Sequence, residues 1–335
     1  MLNKFNNSVD FSGHNVYSGL DVHGKSWTVN IIVDDIEHRR FTQPPEPVAL
    51  YRYLSSHFPG ANYFSAYECG FSGYHHHRKL LELGIQNIVI WVSIPLGNAA
   101  DLPITNKEKV NKNDPVDSRR LAQALQKNQI KGIYVFSREH EQFRSLYRMR
   151  WRASKENRRV KNRISSFLYY YGINPPSELK PEYWPVSFIN WLNQVTLPTE
   201  AGTLSLKYLL NAYQYTRTQL LEVTKQLRKH VKTHYNDIYK CLLSIPGIGP
   251  IVAMCLIAEI GDSSRFKSYK HLASYVGFIP RSHQSGAKDP AGSLTYRSNK
   301  YLRSSLVEAA LWLKKTTNSS MVLYFFEYPK GKIIF

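Results

Sequence analysis

The spacing of apolar and polar positions changes character several times along the chain. Residues 1–15 are polar, rich in Asn and Ser, and predict a frayed start. Residues 16–21 and 26–33 are two β-rich runs separated by a short His23-Gly24-Lys25 turn, which predicts a hairpin with Asp21 at the end of its first strand. Residues 62–68 form another β-rich run ending on Glu68. A helical stretch over 74–83 and a buried strand over 87–92 follow. This alternation of strand and helix from 60 to 125 implies an α/β layer with parallel pairing. A helix is expected from Asp114, a natural N-cap, followed by Pro115 as its first residue.

From residue 138 the period becomes helical. Between Arg138 and Arg163 there are ten Lys or Arg and three acids, interleaved with Leu146, Met149, Trp151, Val160 and Ile164, which predicts a long basic helix with an apolar stripe. Residues 172–203 hold Pro175, Pro176, Pro181, Pro185 and Pro198 and predict an irregular passage with short helices around Trp184 and Trp191. A second long helix is expected over 204–245, through Leu206, Leu210, Tyr213, Leu227 and Val231. The two long helices would make an antiparallel hairpin or the arm of a coiled-coil dimer. Finally, residues 242–260 predict two short helices around Pro246-Gly247-Ile248-Gly249-Pro250, a helix-hairpin-helix pattern.

These breaks divide the 335 residues into a flexible start (1–15), an α/β domain (16–136), a helical linker and oligomerisation region (137–240) and a mostly helical C-terminal domain (241–335). Charge then narrows the partner. Lys and Arg number 44 against 25 Asp and Glu, a net charge of +19, which points to nucleic acid because such side chains neutralise phosphates without reading sequence. The three cysteines, Cys69, Cys241 and Cys255, show no paired spacing, so neither a disulfide framework nor a zinc knuckle is expected. No N-terminal apolar segment and no run of eighteen apolar residues occurs, which predicts a cytoplasmic protein without a membrane partner.

Three groups of residues carry candidate chemistry. Asp21 and Glu68 close two strands, and Asp114 and Asp117 lie one turn apart on a helix; carboxylates so arranged are hard oxygen ligands suited to Mg²⁺. Caps and solvated carboxylates account for the same residues without a metal. In the hairpin, Gly247 and Gly249 would let a helix N-terminus face a phosphate oxygen, or would simply form a turn in a core. Beyond it lies a polar loop of Ser282, His283, Gln284, Ser285, Gly286 and Lys288, followed by Arg297, Lys300 and Arg303. A hydroxyl among those cations could attack phosphate, although a Ser-Gly pair in a loop is more commonly only a turn.

Taken in order, the LDVH strand with Asp21, the strand-end Glu68, the NDPVDSRRLA helix and the GIGPIVAMCLIAEIGD…LASYVGFIPRSHQSG…R…LR block resemble an insertion-sequence transposase of the type related to the Piv DNA invertases, the bridge-RNA-guided recombinases. The resemblance spans residues 16–328. It implies an RNase H-like, RuvC-like N-terminal fold whose Asp21, Glu68, Asp114 and Asp117 bind Mg²⁺, as a pair of ions per site. It also implies a serine nucleophile at Ser285, with Ser282 the lesser candidate; nucleic-acid contacts are expected, from the residues themselves, at Gly247, Gly249, Lys288, Arg297, Lys300 and Arg303. The implied partners are donor and target double-stranded DNA, a structured non-coding guide RNA, and further copies of the chain as a dimer or tetramer in a bacterial or archaeal cytoplasm. Carboxylates and serine, distant in sequence, would meet by domain docking or between protomers. Two other functions fit the same residues: a RuvC-like metal-dependent nuclease using water, or a non-catalytic binding remnant. The family pattern continues past the tyrosine-rich helix into a terminal helix containing Gly-Lys, whereas this chain ends in YPKGKIIF, so a shortened or frameshifted C-terminus is expected with the chemistry retained.

Overall fold

A computed structural model describes residues 10–93, 98–99, 114–179, 181–282, 291–294 and 298–316. The chain divides into two compact units, residues 1–135 and 136–335.

The first unit is built on a six-stranded mixed sheet in the order β3-β2-β1-β4-β5-β6. β1 (Asn15–Val22), β2 (Trp27–Val33) and β3 (Ile36–Gln43) form an antiparallel meander. After α1 (Pro47–His57), β4 (Asn62–Cys69) pairs parallel to β1, and after α2 (His75–Glu82), β5 (Gln86–Ser93) pairs parallel to β4; the two-residue β6 (Asn98–Ala99) closes the edge. The expected hairpin and parallel pairing are both present. The hairpin is tied by the His23 N–H donating to the Ser26 carbonyl at 3.2 Å. Val16, Ser18 and Leu20 alternate into the sheet's buried side at 0 % exposure, leaving Tyr17, Gly19 and Asp21 on the opposite face.

That opposite face is covered by α3 (Asp114–Gln126). The approach depends on Gly19: a Cβ there would lie 1.9 Å from the Ser118 carbonyl oxygen and 2.4 Å from the Ala122 nitrogen, so the helix backbone rests directly on the strand. Leu121 and Ala124 pack against Ile88, Ile90 and Ile130 on the same side. At its far end α3 is held by Gln126 Nε2 donating to Asp35 Oδ1 at 2.6 Å, just past the end of β2. Because Val33 pairs with Val16 at the start of β1, the N-terminal turn of α3 points toward the other end of β1, where Asp21 stands.

The second unit is helical. α4 (Arg138–Tyr170) begins at Ser137, whose Oγ accepts from the His140 N–H at 3.2 Å. After α5 (Val186–Gln194), α6 (Glu200–His234) returns along it. Phe143 and Tyr147 share a core with Leu227 and Val231, while Val160, Ile164 and Leu168 share one with Leu206, Leu210 and Tyr213. The start of α4 thus faces the end of α6, which makes the pair an antiparallel hairpin inside one chain, with Asn157 Nδ2 donating to Thr216 Oγ1 at 3.1 Å between the two cores.

Two sequence expectations need correction. The helix expected over 204–245 is two helices, α6 and α7 (Asn236–Leu243), broken at Tyr235 (φ −137°, ψ 26°). Leaving the helix lets that ring stack on Phe143 at 5.1 Å and turns α7 toward α8. The short helix expected around Trp184 is instead a turn with φ +52°, because Pro185 disfavours helical backbone at the residue before it. The ring packs on Tyr213 (4.8 Å) and Phe188 (5.2 Å). The helix of this passage, α5, carries Trp191.

The C-terminal part adds α8 (Pro250–Ile260), a 3-10 turn (Ser263–Arg265), α9 (Tyr269–Val276), the ribbon β7 (Pro280–Ser282) and β8 (Ala291–Leu294), and α10 (Lys300–Thr316). α8 is the most buried helix: Ala253, Met254, Cys255 and Ala258 are fully inaccessible and pack with α4, α6, α7, α9 and α10 in one core. No helix among the described residues is long and apolar enough to cross a membrane.

Candidate active site

Asp21 is the residue after Leu20, and Glu68 the residue after Tyr67; Leu20 and Tyr67 are register partners in the parallel β1–β4 pair. Asp21 and Glu68 therefore stand side by side at the carboxyl ends of neighbouring strands, on the face that α3 covers. Glu68 is itself paired in register with Ile90, which packs under α3. Asp117 lies in the first turn of α3, one residue before Ser118, which contacts Gly19. Asp114 opens the helix; its side chain lies outside the described residues.

Sheet register and helix direction thus bring three of the four predicted acids to one end of the sheet. Asp21 is 21 % exposed and Asp117 18 %, so both are reachable from solvent without being fully hydrated. Each has a basic neighbour: His23 Nε2 lies 3.3 Å from Asp21 Oδ2, and Arg120 Nη1 lies 3.8 Å from Asp117 Oδ1. Among the described residues no three His, Cys, Asp or Glu side chains are gathered closely enough to hold a metal ion.

In the second unit α7 and α8 flank a turn over residues 244–249. Gly247 has φ +85°, and a Cβ there would lie 3.2 Å from the Ala309 carbonyl oxygen and 3.3 Å from Leu313 Cβ, so this glycine both turns the chain and packs on α10. Gly249 is different: its φ is −81°, and a Cβ added there would meet no atom within 4 Å. It precedes Pro250 at the first position of α8, and the Ala253 N–H already donates to the Gly249 carbonyl at 3.0 Å. The amides of Ile251 and Val252 are the donors that a helix start leaves outside its own bonding pattern. A cavity of ≈ 630 Å³ beside the turn is lined by Ile245, Gly249, Val252, Glu308 and Trp312. Glu308 places negative charge in that space, which opposes an anion there.

The C-terminal cations divide. Lys300 is exposed and lies over the Trp151 and Tyr301 rings, 5.4 Å from each centre. Arg303 is engaged with backbone, its Nη2 donating to the Gly277 carbonyl at 2.9 Å at the end of α9. Ser285, Lys288 and Arg297 lie outside the described residues; Ser282 closes β7, opposite Ala291, with its side chain also outside them.

One residue that sequence reading passed over organises this unit. Glu259, fully buried on α8, accepts from Arg144 Nε at 3.0 Å, from Arg148 Nε and Nη2 at 2.7 and 2.9 Å, and from Asn299 Nδ2 at 2.8 Å. Asn299 in turn caps α10, its Oδ1 accepting from the Tyr301 and Leu302 amides at 3.1 and 3.2 Å. The signal was present as the single carboxylate in the apolar run from Ile251 to Ile260. Burial alone would raise its pKa, but the Arg148 hydrogen bonds, the Arg144 and Arg148 charges and the Asn299 bond together hold it below the ordinary glutamate value. Arg144 and Arg148 also lie over the Phe136 and Tyr301 rings at 4.5 and 4.6 Å, so these two cations of the basic helix serve its interior packing.

The family model that matches covers this same region. Residues 239–325 match the Transposase IS116/IS110/IS902 family. The matched segment runs from the end of α7 through the turn, α8, Glu259, the β7–β8 ribbon and α10. Similar curated proteins include the transposase for insertion sequence element IS1328 of Yersinia enterocolitica, 26 % identical over 60 % of this chain and 59 % of that protein. The transposase for insertion sequence element IS1111A of Coxiella burnetii is 28 % identical over 60 % of this chain and 55 % of its own length. The pilin gene-inverting protein of Moraxella bovis is 46 % identical over a shorter stretch, 28 % of this chain and 27 % of that protein. The chain thus spans little more than half the length of the first two relatives.

Proposed function

We propose that this chain is an insertion-sequence transposase that breaks and rejoins DNA, with the acids of the first unit and a serine of the second as its reacting groups. The observation that carries this reading is the combination, in one chain, of the transposase-family segment at 239–325 with a sheet that sets Asp21 beside Glu68 at the foot of α3. The strand order, three antiparallel strands followed by two parallel ones, supports an RNase H-like reading of that sheet.

The described donors, Asp21, Glu68 and Asp117, offer carboxylate oxygen and are partly open to solvent, a chemistry suited to a hard divalent cation. Asp21, Glu68, Asp117 and Asp114 would hold Mg²⁺, as a pair of ions. Bound there, Mg²⁺ supplies charge that stabilises the attacking and leaving oxygens of a phosphoryl displacement. The protein's own part is to orient the acids: β1 and β4 fix Asp21 and Glu68 in register, while the contact at Gly19 fixes the height of α3 and with it Asp117.

Ser285 is the proposed nucleophile. Its Oγ attacks a DNA phosphorus and loses its proton; the bond from phosphorus to one bridging oxygen breaks, and that oxygen leaves as a hydroxyl. The resulting phosphoserine ester keeps the energy of the broken linkage, so the hydroxyl of a second strand can displace the serine and complete the exchange. A structured guide RNA would read donor and target by base pairing while the basic protein holds backbone, and two or four copies of the chain would assemble around them.

Asp21→Asn and Glu68→Gln test the acid half of this reading. Each is expected to lower Mg²⁺-dependent cleavage of donor DNA by at least ~100-fold, with duplex binding and thermal unfolding unchanged. Cleavage retained by both folded variants would overturn it.

A further inference from the structure

The second unit brings together two cations, neither of which is in an ion pair among the described residues. Lys155 on α4 and Lys300 at the start of α10 lay their ammonium groups on the same indole, 3.8 and 5.4 Å from the Trp151 ring centre. Trp151 is half-buried and packs edge-on against Tyr301 at 4.8 Å, so the platform is rigid, whereas both lysines are exposed. The two ammonium groups consequently lie within about one Debye length, ~10 Å at 0.1 M salt, and repel. Sharing the ring offsets only part of that repulsion for exposed cations.

Neither lysine forms an ion pair among the described residues; Glu156, the residue after Lys155, is bonded to Arg159, and Glu259 is enclosed by Arg144 and Arg148. Arg152, one turn before Lys155, is exposed and adds a further positive charge. On an ordinary solvated helix face, lysines spread into water. Here tertiary packing sets cations of two helices on one ring, an arrangement that a nearby anion would stabilise.

We infer that Lys155 and Lys300, held on Trp151 with Arg152 beside them, form a clamp for the phosphate backbone of duplex DNA. The contact is to phosphate, so it carries position and not sequence. The choice of DNA rests on the function proposed above. Lys300 directly follows Asn299, whose N–H donates to the Tyr275 carbonyl at 3.0 Å, which ties the start of α10 to the end of α9.

The test uses the full chain and a fluorescently labelled duplex of arbitrary sequence, with affinity read by anisotropy across a salt series. Lys155→Gln with Lys300→Gln should weaken binding about tenfold near 0.1 M salt and make the slope of log affinity against log salt shallower by about 2. The double replacement Lys155→Arg with Lys300→Arg should keep both. As a net-charge control, Lys229→Gln with Lys232→Gln on the exposed face of α6 should cost less than about threefold. Equal losses from the two Gln pairs, an unchanged slope, or a loss seen with structured RNA but not with duplex DNA would each overturn the clamp. The inference and the reading beneath it fail separately. A serine-linked DNA adduct with unchanged duplex affinity in the Lys155/Lys300 variant removes the clamp alone, whereas reduced affinity without any adduct in the unaltered protein removes the serine chemistry alone.

Discussion

Replacing Glu259 with Gln should destabilise the second unit by about 3 kcal/mol, and with Ala by up to about 5 kcal/mol. The carboxylate is fully buried and is the shared acceptor for Arg144, Arg148 and Asn299. Removing its charge leaves two guanidinium groups, 14 % and 31 % exposed, without their counter-ion. The loss spreads through Asn299 to the cap of α10, so amide hydrogen exchange should accelerate in α8 and α10 while β1 and β4 are unaffected. The same group sets a pH dependence. Its folded pKa lies below the unfolded value near 4.3, so its contribution is present above that value and declines as the pH falls through the folded pKa. Acid unfolding of the second unit should therefore begin below about pH 5 in the natural protein and lose this component in Glu259→Gln. Chemical denaturation at pH 7 and pH 4 checks both statements; a Gln variant as stable as the natural protein at pH 7 would show that the network does not hold the helices together.

Gly19→Ala should have an effect of similar size on the first unit, about 3 kcal/mol, the upper end of what overpacking costs. The atoms in the way are the Ser118 carbonyl oxygen and the Ala122 nitrogen, both backbone, so no side-chain rotation relieves the contact. The helix must lift, and Asp117 lifts with it. The variant is expected to lose cleavage even at temperatures where the sheet is still folded. Exchange of α3 amides should rise with α8 amides unchanged, the converse of the Glu259 pattern. A Gly19→Ala protein with natural stability and full cleavage would mean that the height of α3 over β1 is not what sets the acids.

Much of the fold could be read from the chain because its signals are local. The β1–β2 hairpin follows from two β-rich runs around His23-Gly24-Lys25, and α4 from the helical period with an apolar stripe that begins at residue 138. What escaped was set by partners distant in sequence. β3 reads IEHRRFTQ and has no apolar alternation, because as a largely exposed edge partner of β2 it buries little besides Gln43. The break at Tyr235 comes from a ring stacking on Phe143, and the turn at Trp184 from Pro185 and the hydrophobic surface of Tyr213.

The candidate site divides in the same way. Asp21 and Glu68 were visible as strand-end acids, but that they are neighbours is a fact of parallel register, which no single segment encodes. Arg144 and Arg148 had the look of a solvated basic face, because charge density along a helix does not reveal a carboxylate more than a hundred residues away. Lys300 was singled out for its charge, while Lys155 and Trp151, which give it a setting, belong to another helix.

DNA strand exchange through a serine is tested directly by one measurement. Purified protein is incubated with RNA transcribed from the sequence flanking its gene, an end-labelled donor duplex and Mg²⁺, then separated under denaturing conditions. A label that migrates with the protein, and vanishes in Ser285→Ala while that variant still binds DNA, is the predicted result. Cleaved DNA without any protein-linked label, equally abundant in Ser285→Ala, would contradict the account and leave a water-using metal-dependent nuclease in its place.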